Sequence, residues 1–298
     1  MLDKNKVSLG IAQIAWTNDD MPDLGKENTF EQCVSEIALA GFAASEVGAK
    51  YPTDPVVLKK AMDLRGLTIC NSWFSSFLIT KPYAETEQAF IKSLNFLQAV
   101  GAKVIGVSEQ SYSTQGKLEQ PIWDGKYEMN DEEWELLTEG LNKLGKIAKD
   151  RGMALTFHHH MGTVVQTEAE IDKFMDMVDK ELVYLLFDSG HLSFAGIDPE
   201  KVLKKYVNRV RHVHLKDIRG EMVKRSQTER WSFLKGVREG VFTVPGDGDV
   251  DFAPLFKILE EAEYKGWMVV EAEQDPAKAN PLEYALKARK YIADKAGL

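Results

Sequence analysis

All six histidines of the 298-residue chain fall between positions 158 and 214. They form three groups: His158, His159 and His160, then His191, then His212 and His214. Imidazole is both a ligand for divalent metals and a proton carrier near neutral pH, so such a cluster points to metal binding, acid–base chemistry or both. Acidic residues stand at matching places: Asp188 just before His191, and Glu271 and Glu273 after an apolar run near the C-terminus. Each of these residues ends, or lies just past, a short apolar or β-branched stretch. Those stretches are MALTFHHH (153–160), VYLLFDSG (183–190), RVRHVHLKD (209–217) and WMVVEAE (267–273).

If the stretches are strands, alternation decides which side chains share a face. His158 and His160 share one, with His159 opposed. His212, His214 and Lys216 share another, as do Glu271 and Glu273, while Asp188 stands opposite the run Val183, Leu185 and Phe187. His158, Asp188, His214 and Glu271 can then converge. A mixed imidazole and carboxylate set suits Mn²⁺, Co²⁺ or Zn²⁺. One ion also compensates polar groups that would be costly to bury alone. A hydrogen-bonded residue near the core explains any single histidine; four such positions on four strand ends favour a metal.

The chemistry needs elements that bring distant strand ends together. Four earlier stretches complete a set of eight: VSLGIAQIA (7–15), FAASEVG (42–48), LTICNSWF (67–74) and AKVIGVSE (102–109). Segments of helical period separate them, with Asp54-Pro55 as a helix start and Gly41 as a stop. Eight strands alternating with eight helices predict an α/β fold, a (β/α)₈ TIM barrel, in one domain over 1–298. A doubly wound sheet would carry a glycine-rich phosphate loop after its first strand; here AWTNDD follows instead. Active sites of barrels sit at the C-terminal ends of the strands, where two long loops, at about 110–130 and 218–248, are expected to cover the face. Trp16 and Asn18 after strand one, Glu46 ending strand two, Asn71 and Trp73 in strand three and Glu109 ending strand four would line that mouth. A polar mouth ringed by aromatics suits a polyhydroxylated ligand, with its hydroxyls and apolar C–H faces.

Composition narrows the function further. Lys+Arg 37 against Asp+Glu 46 gives a formal charge of -9, and 44% of residues are hydrophobic. Bulk disorder is excluded, and the acidic balance argues against nucleic acid and anionic membranes as partners. No apolar run approaches the ~18 residues of a membrane helix. Cys33 and Cys70 make no disulfide framework, which fits a reducing cytoplasm. Neither a G-x-S-x-G elbow nor a phosphate loop with lysine is present.

The segments DSGH (188–191), HVHLKD (212–217), VPGDGDVDF (244–252) and GWMVVEAE (266–273) together resemble the xylose isomerase-like sugar isomerase/epimerase superfamily of metal-dependent TIM barrels. GIAQIAWTNDDMPDLG (10–25), TFEQCVSEIALAGFAASEVGAKYP (29–52) and FHHHMGTVVQT (157–167) resemble one branch of it more specifically. That branch dehydrates a polyhydroxylated cyclic ketone, 2-keto-myo-inositol, to a trihydroxycyclohexane-1,2-dione in myo-inositol catabolism. The resemblance implies metal ligands at Asp188, His214 and Glu271. A fourth falls on His158, where the superfamily has glutamate; His160 could substitute, or three ligands could suffice. His191 and Lys216 resemble residues that contact substrate oxygens. The resemblance also implies Mn²⁺ or Co²⁺, with reduced glutathione as an accessory factor. Dehydration needs a base for the proton next to the ketone and an acid for the departing hydroxyl. The candidates are His191, His160, Lys216, Glu273 and Glu46. Rival readings are an epimerase or isomerase on the same scaffold, a polyol-binding protein without chemistry, and a metal-dependent endonuclease, which the charge disfavours. Aromatics in the long loops could form a homo-oligomer contact.

Overall fold

The computed structural model describes residues 1–298. In chain order the elements are β1 (Val7–Ile11), α1 (Phe30–Leu39), β2 (Ala44–Val47), α2 (Pro55–Asp63), β3 (Thr68–Ser76), α3 (Tyr83–Ala99), β4 (Val104–Glu109), α4 (Asp131–Asp150), β5 (Ala154–His158), α5 (Glu168–Met177) and β6 (Val183–Asp188). Then follow α6 (Ser189–Phe194), α7 (Pro199–Tyr206), β7 (Val210–Leu215), β8 (Asp217–Ile218), α8 (Gly220–Thr228), α9 (Phe233–Glu239), β9 (Phe242–Thr243), α10 (Phe252–Glu261), β10 (Gly266–Val270) and α11 (Pro281–Ala296). Strands β1 to β7 and β10 close into a barrel in the order β1-β10-β7-β6-β5-β4-β3-β2, each pair parallel. This is the expected (β/α)₈ architecture.

Local sequence sets the punctuation. Asp54 caps α2 through the backbone N–H groups of Val56 and Val57, with Pro55 at the first helical position. Asn130 with Glu133, and Thr167 with Glu170, form reciprocal capping boxes that start α4 and α5. Gly41 follows α1 at φ 83°, a left-handed conformation that favours glycine and turns the chain back toward β2.

All the barrel strands except β3 are shorter than their apolar runs. β1 stops at Ile11, and Gln13–Ala15 form a 3₁₀ turn. β6 stops at Asp188, whose carboxylate Oδ1 accepts from the His191 N–H at 2.8 Å and so starts α6. β10 stops at Val270, leaving Glu271 and Glu273 on an irregular segment above the barrel.

The stretch after β7, expected as a loop, is largely regular. It folds into α8, α9 and the antiparallel ribbon β8–β9. Its apolar residues build a second core above the barrel, in which Trp231, Phe233 and Phe242 pack with Met161 and Phe194. The two long connections also grip each other. The Ile122 N–H donates to the Trp231 carbonyl at 2.9 Å, and the Trp123 indole donates to Ser226 Oγ at 2.9 Å. No helix is long and apolar enough to cross a membrane.

Candidate active site

The C-terminal face of the barrel holds a cavity of about 260 Å³ lined by Glu46, Asn71, Trp73, His158, His160, His214, Glu271 and Glu273 among others. Four donors from β5, β6, β7 and the end of β10 meet at its floor. The ligand atoms of His158, Asp188, His214 and Glu271 all lie within 4.8 Å of one another. His158 Nε2 is 3.3 Å from Asp188 Oδ2, and His214 Nδ1 is 3.3 Å from the same oxygen. His214 Nδ1 also abuts Glu271 Oε2, yet neither atom has a hydrogen-bond partner. Two buried donors that crowd together without a hydrogen bond are arranged for a shared cation.

Glu46 explains which nitrogen of His214 faces that point. A single oxygen, Glu46 Oε1, accepts from His214 Nε2 at 3.0 Å, from His212 Nε2 at 2.7 Å and from Asn71 Nδ2 at 2.9 Å. With Nε2–H committed to Glu46, the Nδ1 lone pair is left for the floor, the usual outer partner of a metal-bound imidazole. Asn71 is fixed in turn by the Gly106 N–H, which donates to its Oδ1 at 2.7 Å. A Cβ at position 106 would stand 3.0 Å from Asn71 Nδ2, so glycine leaves room for this contact.

Charge fits the same conclusion. Burial works to raise Asp188 and Glu46, but Lys216 and His191 outweigh it at Asp188, and His214 and His212 at Glu46. Both carboxyls are held well below their usual range. Burial works to lower His214, but Glu271 and Glu46 outweigh it and raise the ring well above its usual range, so a cation bound at the floor would displace a proton from Nδ1. Three carboxylates, Asp188, Glu271 and Glu273, thus lie within 4.0 Å of one lysine, Lys216, and Glu46 adds a fourth against His212 and His214, in a largely buried site. Two imidazoles and two carboxylates, with net negative charge, fit a divalent ion of the Mn²⁺, Co²⁺ or Zn²⁺ type.

A second cluster adjoins the first. Lys216 is completely buried, and its Nζ lies 2.7 Å from Glu273 Oε1, 3.2 Å from Glu271 Oε1 and 3.0 Å from His191 Nε2. Burial, joined by the like charge of Glu271, pushes Glu273 up to about 7 against the pull of Lys216. His160 packs against His191 with ring centres 3.7 Å apart and planes tilted by 40°. Burial, then neighbouring positive groups, pushes both rings well below their usual range, so both are neutral. His160 Nδ1 donates to the Met161 carbonyl at 2.8 Å, which leaves its Nε2 a free lone pair. Phe233 and Phe242 wall this cluster, with Phe233 5.1 Å from His160 and Phe242 5.2 Å from His191. They come from α9 and β9, so the long connection after β7 closes the site from above.

The fold separates the sequence candidates. His158 joins Asp188, His214 and Glu271, whereas His160 joins His191 and Glu273. Of the acid–base candidates, Glu46, His160 and Glu273 line the cavity; His191 and Lys216 stand behind them. Asn71 and Trp73 line it too, and Trp73 packs 5.5 Å from His158 and 5.7 Å from His160.

Trp16, Asn18 and Glu109 lie outside it. Trp16 is fully buried in the core, its indole donating to Glu36 Oε2 at 2.6 Å. Asn18 Oδ1 accepts from the Asp20 and Met21 N–H groups, each at 2.9 Å, and so shapes its own turn. Glu109 accepts from Ser76 Oγ at 2.7 Å and from the Leu78 and Ser111 N–H groups at 3.0 and 3.2 Å. That is a scaffold carboxylate tying β3 to β4.

The cavity adds Gln13, Asp19, Asp20, Ser75, Gln110 and Gln115, which strand reasoning missed. Most lie on loops, where no period-2 rule assigns a direction; the run of polar residues after β1 was the one available signal.

Comparison with known proteins agrees with the fold. Residues 34–295 match the model of the xylose isomerase-like TIM barrel family. The chain is 67% identical over 294 residues to an inosose dehydratase of Clostridium perfringens, covering 99% of each chain. It is 64% identical over 297 residues to the inosose dehydratase of Clostridium beijerinckii, covering 100% of each. Among solved structures it superposes on D-allulose 3-epimerase from Methylomonas sp. with a TM-score of 0.69 at 18% identity, covering 99% of both chains. It superposes on the probable 3-DHS dehydratase AsbF from Bacillus anthracis with a TM-score of 0.71 at 13% identity, covering 96% of this chain and 98% of that one. These last two share the fold.

Proposed function

The chain belongs to the inosose dehydratases, within the xylose isomerase-like TIM barrel family, and is a hydro-lyase; from that premise we propose that it removes water from 2-keto-myo-inositol in a metal-dependent reaction to give 3D-trihydroxycyclohexane-1,2-dione. One observation carries the proposal. The four-donor cluster of His158, Asp188, His214 and Glu271 shares a cavity with His160, whose ring is neutral and whose Nε2 is uncommitted. Those four residues would hold the ion, with Mn²⁺ or Co²⁺ as the metals of choice. When bound, it supplies Lewis-acid polarisation of the ketone, which acidifies the neighbouring C–H.

The residues of the chain do the rest. Glu46 holds His214 in the ligating tautomer. His160 Nε2 takes the proton from the carbon next to the ketone. In a ring whose hydroxyls are all equatorial, that hydrogen and the hydroxyl on the following carbon lie on the same face. The His160 imidazolium can therefore hand the same proton to the departing hydroxyl. One C–H and one C–O bond break, a C=C bond forms, and water leaves carrying the transferred proton. The resulting enol tautomerises to the second ketone. Lys216 and His191 hold Glu273 and His160 in register from behind, and Phe233 and Phe242 keep bulk water from the proton in transit.

The test is mass-spectrometric detection of water loss from 2-keto-myo-inositol with Mn²⁺ present and again with a chelator. Loss of one water that the chelator abolishes is the expected result. Hydrogen–deuterium exchange beside the ketone without water loss would overturn the dehydratase in favour of an epimerase or isomerase.

A further inference from the structure

The floor and the mouth of the cavity are built from different halves of the barrel. Strands β5, β6, β7 and β10 supply the acid–base and metal-binding groups. The opposite wall, from the loops after β1 and β4, carries Asp20 and Gln115. These two join across the mouth: Gln115 Nε2 donates to Asp20 Oδ2 at 3.0 Å. Nothing else in the protein holds the Gln115 amide, whose Oε1 is buried without a partner. An amide nitrogen has two hydrogens and a carboxylate has two oxygens. One Gln115 hydrogen and Asp20 Oδ1 therefore remain free on a wall that faces ligand.

The pair is also held in place. Lys50 Nζ donates to the carbonyls of Gly25, Lys26 and Asn28 at 3.0, 2.9 and 2.7 Å, fixing the loop that carries Asp20. Asp19 accepts from the Ala49 N–H and from Gln13 Nε2, each at 3.2 Å, which ties the same loop to the segment just past β2. The bond to Asp20 in turn aims Gln115.

A donor and an acceptor fixed side by side match two neighbouring hydroxyls, one accepting and one donating. With the ketone at the floor, three ring carbons of an inosose are not adjacent to it. Any neighbouring pair among those three includes the carbon opposite the ketone. We propose that Asp20 and Gln115 form a clamp for a vicinal diol that includes the hydroxyl opposite the ketone, and so select a ring polyol over shorter hydroxyketones. This inference rests on the inosose reading and assigns the recognition of its far edge.

The test compares inosose with its analogue lacking the hydroxyl opposite the ketone, in the full-length metal-loaded enzyme. Gln115→Ala should lower kcat/KM for inosose about tenfold, the value of one neutral hydrogen bond of ~1.4 kcal/mol. It should lower kcat/KM for the deoxy analogue by a clearly smaller factor, because Gln115, which donates to the hydroxyl opposite the ketone, has already lost that partner there. Asp20→Ala should depress inosose more strongly, and Asp20→Asn, which keeps an acceptor for Gln115, should recover part of the loss. Turnover of the deoxy analogue also reports that each variant is folded. For Gln115→Ala, equal falls on both substrates would mean a structural role, and no fall on either would mean no contact; each overturns the clamp. A wild-type enzyme that releases no water from inosose overturns the functional reading itself and is recognised before any variant is made.

Discussion

Gly190→Ala should improve a helix and damage the enzyme. Gly190 sits in α6 in ordinary helical conformation, and exchanging glycine for alanine inside a helix stabilises by ~1 kcal/mol. Yet a Cβ at this position would stand 2.3 Å from Lys216 Cγ and 2.7 Å from Cδ. Ordinary van der Waals contact begins at 3.4 Å, so the Lys216 stem must retreat by about 1.1 Å. Lys216 is fully buried, with its Nζ held by Glu273, Glu271 and His191. Overpacking of this kind costs roughly 1–3 kcal/mol, which cancels or exceeds the helix gain. The functional effect should be larger. A retreat of that size breaks the 2.7 Å bond to Glu273 and the 3.0 Å contact with His191. A misplacement of ~1 Å in a catalytic constellation costs about 10²-fold in rate. The assay is kcat for water release, with the melting temperature and metal content measured on the same sample. A second measurement isolates the cause: in a Lys216→Ala background the added methyl should cost much less, because the Cγ and Cδ it strikes at 2.3 and 2.7 Å are gone and only Cβ, at 2.8 Å, remains. A Gly190→Ala enzyme with a raised melting temperature and kcat within about threefold of wild type would refute this reasoning about α6 and Lys216.

Two further outcomes follow from the site. His214→Ala and Glu271→Gln should each lose the bound divalent ion, read by elemental analysis after dialysis, and lose water-releasing activity with it; turnover that survives in a metal-depleted Glu271→Gln enzyme would sink the metal mechanism. Glu109→Gln should instead destabilise the fold by ~1.5–3 kcal/mol, because a charged acceptor of three hydrogen bonds becomes half donor. Its urea midpoint should fall while metal content and KM hold, and a selective rise in KM would return Glu109 to the substrate site.

Comparing these residues shows where sequence reasoning reaches. The barrel was legible because its evidence is local: apolar runs of strand length, helices opened by Asp54-Pro55 and closed by Gly41, repeated eight times. The four-donor cluster was legible for the same reason. Period-2 alternation aims a strand residue without reference to the rest of the fold, and parallel strands put all their C-terminal ends on one rim. Hence His158, Asp188, His214 and Glu271 could be grouped from spacing.

Loop residues have no such rule. Trp16 and Asn18 stand just past β1 and looked aimed at the mouth, but the turn that follows carries one into the core and spends the other on its own backbone. Glu109 ends β4 at the right height and is consumed by the β3 connection. Conversely, Gln115 and Asp20 meet although they are 95 residues apart, and Glu46 reaches His212 across 166 residues. The chain by itself therefore determined which strands exist and which way their side chains point, because backbone geometry within one strand decides both. Tertiary structure alone decided that His158 rather than His160 completes the four-donor floor, that Lys216 fits only beside a glycine, and which loop residues face the cavity. Those outcomes depend on where other segments close in space, and no single segment carries that information.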